Sequence, residues 1–121
     1  MERLTAQEEE AMLILWRLKK AFVKDVVEQY ADPKPPYTTV ASTIKNLERK
    51  QYVKSRKYGN IYEYKPAVNE EYYKKQFVSG FVKKYFSNSY SDLVTFFAKE
   101  EAISAGELKE IIRLIENRKR R

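Results

Sequence analysis

Apolar residues recur at helical spacing soon after the start of the chain. Ala11, Met12, Leu15, Trp16 and Leu18 make one face of a first helix. Its start is marked by Thr5-Ala6-Gln7-Glu8, a capping box. There the Thr5 hydroxyl accepts from the Glu8 N–H, and the Glu8 carboxylate reaches back to the Thr5 N–H. Glu8, Glu9 and Glu10 also suit the positive end of a helix. A second, shorter helix carries Val23, Val26, Val27 and Tyr30. Ala31-Asp32-Pro33-Lys34-Pro35-Pro36 breaks it, because prolines this dense cannot continue a helix. A third helix is predicted from about Tyr37 to Lys50, with an apolar stripe of Tyr37, Val40, Ile44 and Leu47. The opposite face is Thr38, Thr39, Ser42, Lys45, Asn46 and Arg49, and it contains no acid; Glu48 falls to the side.

The period then changes. Tyr52 to Lys57 and Ile61 to Lys65 are rich in aromatic and β-branched residues and flank Tyr58-Gly59-Asn60, which predicts a β-hairpin ended by Pro66. Three helices followed by a hairpin is the winged helix-turn-helix order. The expected fold is therefore mainly α with a small β-hairpin wing. A winged-helix domain occupies 1–67, a helical dimerisation lobe 68–117 and a basic tail 118–121.

In the C-terminal lobe a long helix from Asn69 to Phe86 places Tyr73, Phe77, Phe81 and Tyr85 at a spacing of four, widened by Val78, Val82 and Phe86. Leu93, Val94, Phe96 and Phe97 follow on a short segment. Ser104-Ala105-Gly106-Glu107 is a second capping box, opening a last helix with Leu108, Ile111, Ile112 and Ile115. A stretch of about fifty residues rarely closes a stable core alone. So many aromatics call for a second copy of the chain, in an isologous two-fold pairing, or for packing against the N-terminal domain. The expected interface is Tyr73, Phe77, Phe81, Tyr85, Leu93, Phe96, Phe97, Leu108, Ile111, Ile112 and Ile115.

Composition narrows the chemistry. The 121 residues include no Cys and no His. Disulfides, thiol nucleophiles, imidazole bases and Cys- or His-based metal sites are thereby excluded, and no cofactor or metal is implied. The acid clusters Glu8-Glu9-Glu10 and Glu100-Glu101 are explained as helix-end and surface groups. The three glycines, Gly59, Gly80 and Gly106, build no phosphate loop, so an enzyme is not expected. The apolar run from Ala11 to Trp16 is too short to span a membrane, which points to the cytoplasm. With 24 Lys+Arg against 17 Asp+Glu the formal charge is +7. From Tyr37 to Pro66 lie Lys45, Arg49, Lys50, Lys54, Arg56, Lys57 and Lys65 against Glu48 and Glu63 alone. A basic surplus gathered on one segment fits a polyanion.

The expected partner is double-stranded DNA. A helix fits the major groove, where small hydroxyl and amide side chains reach base edges and thymine methyls. Thr38, Thr39, Ser42, Lys45, Asn46 and Arg49 are the expected reading face, with Lys54, Arg56 and Lys57 of the wing on phosphates. An ordinary amphipathic helix with a solvated face is the plain alternative. A winged helix used as a protein-binding module is another, although it would not need an acid-free face.

Leu4-Thr5 with Glu8-Glu9 and Trp16, then Tyr37-Thr38-Thr39-Val40 running into Ile44-Lys45-Asn46-Leu47-Glu48-Arg49-Lys50, closely resemble the BlaI/MecI penicillinase-repressor family. The similarity continues through Leu93-Val94-Thr95-Phe96-Phe97. The resemblance implies a dimeric bacterial repressor on a palindromic operator ahead of β-lactamase or resistance genes. It also implies induction by proteolysis within the C-terminal lobe, triggered by a membrane sensor-protease. The family's cleaved bond joins an Asn to a Phe; the matching pair here is Phe96-Phe97, without the Asn. Copper-responsive members carry a Cys-rich tail, a branch that the absence of Cys excludes. The chain ends instead in Arg118-Lys119-Arg120-Arg121, read as a solvated tail or an extra phosphate contact.

Overall fold

The computed structural model describes residues 2–119, with only the backbone of Lys119. It is mostly helical with one small antiparallel sheet, in the winged-helix order. The elements are α1 (Ala6–Leu18), β1 (Ala21–Phe22), α2 (Val23–Glu28), α3 (Tyr37–Arg49), β2 (Val53–Tyr58), β3 (Ile61–Pro66), α4 (Glu70–Tyr85), α5 (Tyr90–Lys99) and α6 (Ala105–Lys119). Two compact units divide the chain, residues 1–73 and 74–121. Among the described residues no helix is long and apolar enough to cross a membrane.

The N-terminal unit is built around α1 and α3. The capping box forms as expected, with Thr5 N–H donating to Glu8 Oε1 at 2.8 Å and Glu8 N–H to the Thr5 hydroxyl at 3.1 Å. Met12 and Leu15 of α1, Val26 of α2 and Ile44 and Leu47 of α3 are fully buried together. Each such side chain contributes about 1.5–3 kcal/mol by leaving water. The sheet order is β1-β3-β2. Gly59 turns the hairpin at φ +59°, a conformation that suits the first central residue of a type II′ turn. Gln51, at φ +69°, swings the chain from the end of α3 into β2. The Lys34 ammonium donates to the carbonyls of Glu28 and Tyr30 at 3.0 and 2.7 Å, satisfying the end of α2.

Two boundaries move. The N-terminal unit reaches Tyr73, six residues past the expected limit of 67, because Tyr73 packs there. Its ring lies 5.3 Å from that of Trp16 and 6.1 Å from that of Tyr52, and its hydroxyl donates to Glu9 Oε2 at 2.7 Å. Trp16 Nε1 in turn donates to the Val68 carbonyl at 2.9 Å, holding the stretch before α4. Of the expected basic tail, Arg118 and Lys119 are the last turn of α6, and Arg120 and Arg121 lie outside the described residues.

Beneath α3 sits a buried ion pair. Lys50 Nζ stands 2.6 Å from Glu8 Oε1, with side chains 9% and 6% exposed, and also donates to the Arg3 carbonyl at 2.9 Å. Burial raises the Glu8 pKa, but the hydrogen bonds from Lys50 and Thr5 outweigh it and hold the carboxyl below its ordinary value. Removing one partner of such a pair strands the other charge. Glu8→Gln should therefore lower stability by about 3 kcal/mol in urea titrations. A carboxyl depressed in the folded state contributes stability above its unfolded pKa and loses it as pH falls through the folded value. The wild type should thus lose, on acidification below 4.5, stability that Glu8→Gln never had. Parallel acid profiles for the two proteins would remove Glu8 from this role.

Candidate nucleic-acid interface

Helix α3 is held from one side only. Val40, Ile44 and Leu47 are buried, joined by Thr43, whose hydroxyl donates to the Thr39 carbonyl at 2.9 Å. On the other side Thr38, Thr39, Ser42, Lys45, Asn46 and Arg49 are all exposed. The first turn holds no acid, and Pro36 at the N-cap offers no side-chain acceptor. Tyr37 departs from the expected apolar stripe. It is 54% exposed, because it opens the helix one turn before the core begins at Val40.

The wing cations fall on two faces. Side chains alternate along a strand, so Lys54 and Arg56 share one face of β2, and Lys57 shares the other with Val53 and Ser55. Val53 is buried, and the Ser55 hydroxyl donates to Glu48 Oε2 of α3 at 2.6 Å. Lys57 is therefore on the face turned toward α3. Arg56 stands opposite Glu63 across the hairpin, with its guanidinium 5.3 Å from the Tyr58 ring centre.

The charge surplus is smaller at the surface than along the chain. Lys50 is spent on Glu8 in the interior. Lys45, Arg49, Lys54, Arg56, Lys57 and Lys65 remain exposed. The Lys50 partner is 42 residues away, so no local pattern reveals it. Tyr37 and Tyr62, both exposed, lie beside the expected site and were absent from it. Tyr62 was within reach of a parity argument, since it pairs directly with Lys57.

The C-terminal unit presents the expected interface residues openly. Phe77, Phe81, Tyr85, Phe96, Phe97, Ile111, Ile112 and Ile115 are all exposed, as are Tyr90, Val94 and Leu114 outside the expected set. Leu93 and Leu108 are half-buried. Val82 is the one fully buried apolar side chain among this unit's described residues. Tyr73, also named in the expected interface, packs in the N-terminal unit through the contacts with Trp16, Tyr52 and Glu9 given above. Phe86 joins α4 to α5, its ring 5.7 Å from Phe96, which stands 5.4 Å from Phe97. The Phe96–Phe97 bond lies inside α5. The second capping box forms, with Ser104 N–H donating to Glu107 Oε1 at 3.0 Å and Glu107 N–H to the Ser104 hydroxyl at 3.1 Å. Those bonds hold the Glu107 carboxyl below its ordinary pKa.

The penicillinase repressor family model matches residues 4–117. The methicillin resistance regulatory protein MecI of Staphylococcus aureus strain N315 is 27% identical over 109 residues, covering 89% of each chain. The penicillinase repressor of Bacillus licheniformis is 20% identical over 124 residues, covering 98% of this chain and 94% of its own. A solved chain of Bordetella bronchiseptica BpsR, described for regulation of DNA binding by 6-hydroxynicotinic acid, overlays with a TM-score of 0.48. Its identity is 14%, over 99% of this chain and 78% of that one.

Proposed function

The chain belongs to the penicillinase repressor family of transcriptional repressors, and from that membership we propose that it acts as a cytoplasmic homodimer on a palindromic DNA operator. The observation that carries this reading is the exposed face of α3, which holds no acid of its own and meets one only where the Glu2 carboxylate lies 3.9 Å from Arg49, standing beside a hairpin of exposed cations. Thr38, Thr39, Ser42, Lys45 and Asn46 read base edges; Arg49 and the wing cations Lys54, Arg56 and Lys57 hold phosphates. The relatives' names make β-lactam resistance genes the first targets to try. Selection of bound duplexes from a random pool by the full-length protein would recover the operator. Binding assays on that duplex and on a scrambled one then separate the roles. Asn46→Ala should cost about 1–3 kcal/mol on the operator and blur its sequence preference. Arg49→Ala should weaken both duplexes alike. Equal and negligible effects from both variants would refute the reading.

The apolar surface of the C-terminal unit supports the homodimer. A patch this large on a protomer marks an association surface, and two-fold symmetry lets one patch cover its copy. The two half-sites would then lie about one helical turn apart, roughly 10 bp or a small multiple. Ile112 is 53% exposed, so a charge there leaves the protomer's own core intact. Ile112→Asp should sediment as a folded monomer with operator affinity sharply reduced. A wild type that sediments as a monomer at micromolar concentration and still binds tightly would overturn the dimer.

Release by proteolysis in the C-terminal lobe, at the hand of a membrane sensor-protease, fits this division of labour. A cut at Phe96–Phe97 removes α6 with Leu108, Ile111, Ile112 and Ile115, and leaves α3 untouched. The second half-site then loses the high effective concentration that the linked partner supplies. Because the bond lies within a ten-residue helix, a protease must first unwind α5, a small cost for a helix this short. A truncation ending at Phe96 should dimerise and bind operator much more weakly than the full chain. Full operator affinity in the truncated protein would show that the last helix is dispensable and that a cut there is no switch.

A further inference from the structure

A cleft of about 270 Å³ opens on the N-terminal unit where α1, the α2–α3 loop and the start of α3 meet. Its polar wall is Gln7 and Glu10 of α1, Tyr30 just past α2, and Thr39 of α3. Pro33 and Pro35 of the loop and Val40 of α3 make its apolar wall. No Lys or Arg lines it, in a chain whose formal charge is +7. Lys34, the cation of that loop, is committed to the carbonyls of Glu28 and Tyr30 and lies 3.9 Å from Asp32. Glu10 is exposed, and its carboxylate has no ion pair or hydrogen bond among the described residues. Burial pushes the Tyr30 phenol up and the Glu10 carboxylate pushes it further, in keeping with two groups on one wall. The Lys34 bonds and the fixed φ of the prolines hold the loop, so the cleft is formed before anything enters it.

A cleft of this size takes a ligand of roughly ten to fifteen heavy atoms. Its polar wall is rich in acceptors. An ionised carboxylate accepts only, and the Gln7 carbonyl and the Tyr30 and Thr39 hydroxyls can accept beside it. One carboxylate brings too little charge for a bare divalent ion, and among the described residues no group of three acidic side chains gathers to hold one. We propose that this cleft binds a small organic cation, an amine or amidinium on a short apolar body, with its charge on Glu10 and its body between Pro33, Pro35 and Val40. The site shares Thr39 with the face of α3 assigned to DNA, so its effect on repression rests on the operator reading. A carboxylate one cleft away from that face repels the phosphates that pass it. A cation held on Glu10 cancels the repulsion. Occupancy therefore strengthens operator binding, and by linkage the operator strengthens occupancy.

Benzamidine serves as the probe, and benzamide as a neutral molecule of the same shape. Titration of the full-length protein with benzamidine, followed by backbone amide NMR, should saturate and shift the signals of Glu10, Tyr30 and Thr39. Benzamide should bind roughly ten-fold more weakly. Glu10→Gln should weaken benzamidine by a similar factor with the thermal midpoint unmoved, because the side chain is exposed. Ala31→Phe, at an exposed lining position, should block the probe by filling the cleft. Glu28→Gln, an exposed acid outside the cleft, should change nothing. On the selected operator at fixed ionic strength, saturating benzamidine should raise wild-type affinity several-fold and leave Glu10→Gln unmoved. Benzamidine that does not saturate, that binds no better than benzamide, or that is weakened equally by Glu10→Gln and Glu28→Gln overturns the cation site. Probe binding that leaves operator affinity unchanged or lowers it overturns the coupling. A wild type that binds no duplex while benzamidine still binds through Glu10 overturns the operator reading, and the cation site stands.

Discussion

One carboxylate oxygen ties the N-terminal unit together. Glu8 Oε1 accepts from the Thr5 N–H, which starts α1, and from the Lys50 ammonium, which ends α3. The same ammonium takes the Arg3 carbonyl, and the Tyr52 hydroxyl just beyond donates to the Glu2 carbonyl at 2.6 Å. The start of the chain, the first helix, the end of the third helix and the entry to the wing thus meet at one buried charge. Hydrophobic burial along Met12, Leu15, Ile44 and Leu47 supplies most of the stability, but it is non-directional and tolerates sliding. The ion pair is directional. It pins the end of α3 to the start of α1, which restrains rotation of α3 about its axis, and that rotation decides which residues face outward.

The two units meet opposite demands. The first closes a core and keeps one helix face bare. The second leaves most of its large side chains in water, since three short helices enclose too little volume to cover them. Exposed apolar surface of this extent is costly for a lone chain in water, and the proposed pairing would offset that cost. α4 serves both demands along its length. Its first turn gives Tyr73 to the N-terminal core, and its later turns give Phe77, Phe81 and Tyr85 to the open face. That split also separates Tyr73 from the residues that follow it at four-residue spacing. Spacing says which residues share a face, and a neighbour as large as Trp16 decides what the face meets at each turn.

Much of this was legible in the order of residues. Both Thr5/Glu8 and Ser104/Glu107 capping boxes form, because each is a local contact written into four consecutive residues. The limits of α3 and the Gly59-Asn60 turn were legible for the same reason, and so was the exposed face of α3. What escaped is non-local. β1 is two residues long and exists only because β3 offers it an edge, pairing Ala21 with Tyr64 and Phe22 with Glu63. Lys50 reads as one more surface cation until Glu8 arrives from the far end of the unit. Tyr37 obeys the helical period but lies beyond the core's last layer, and periodicity carries no information about where a core ends.

The separation of charged from neutral contacts bears on how a basic protein discriminates at all. In the proposed operator complex, cations such as Arg49 and Lys57 would gain by releasing counterions from any duplex and so raise specific and non-specific affinity together. On that proposal Thr38, Thr39, Ser42 and Asn46 would gain only where the base edge matches, since losing a match leaves buried polar groups unpaired. As salt rises, the cationic share shrinks on every sequence while the neutral share persists. The ratio of operator to random binding would therefore depend chiefly on uncharged side chains. A helix face that sets three hydroxyls and one amide among its cations is, on that proposal, an arrangement that would keep selectivity when ionic strength takes most of the binding energy away.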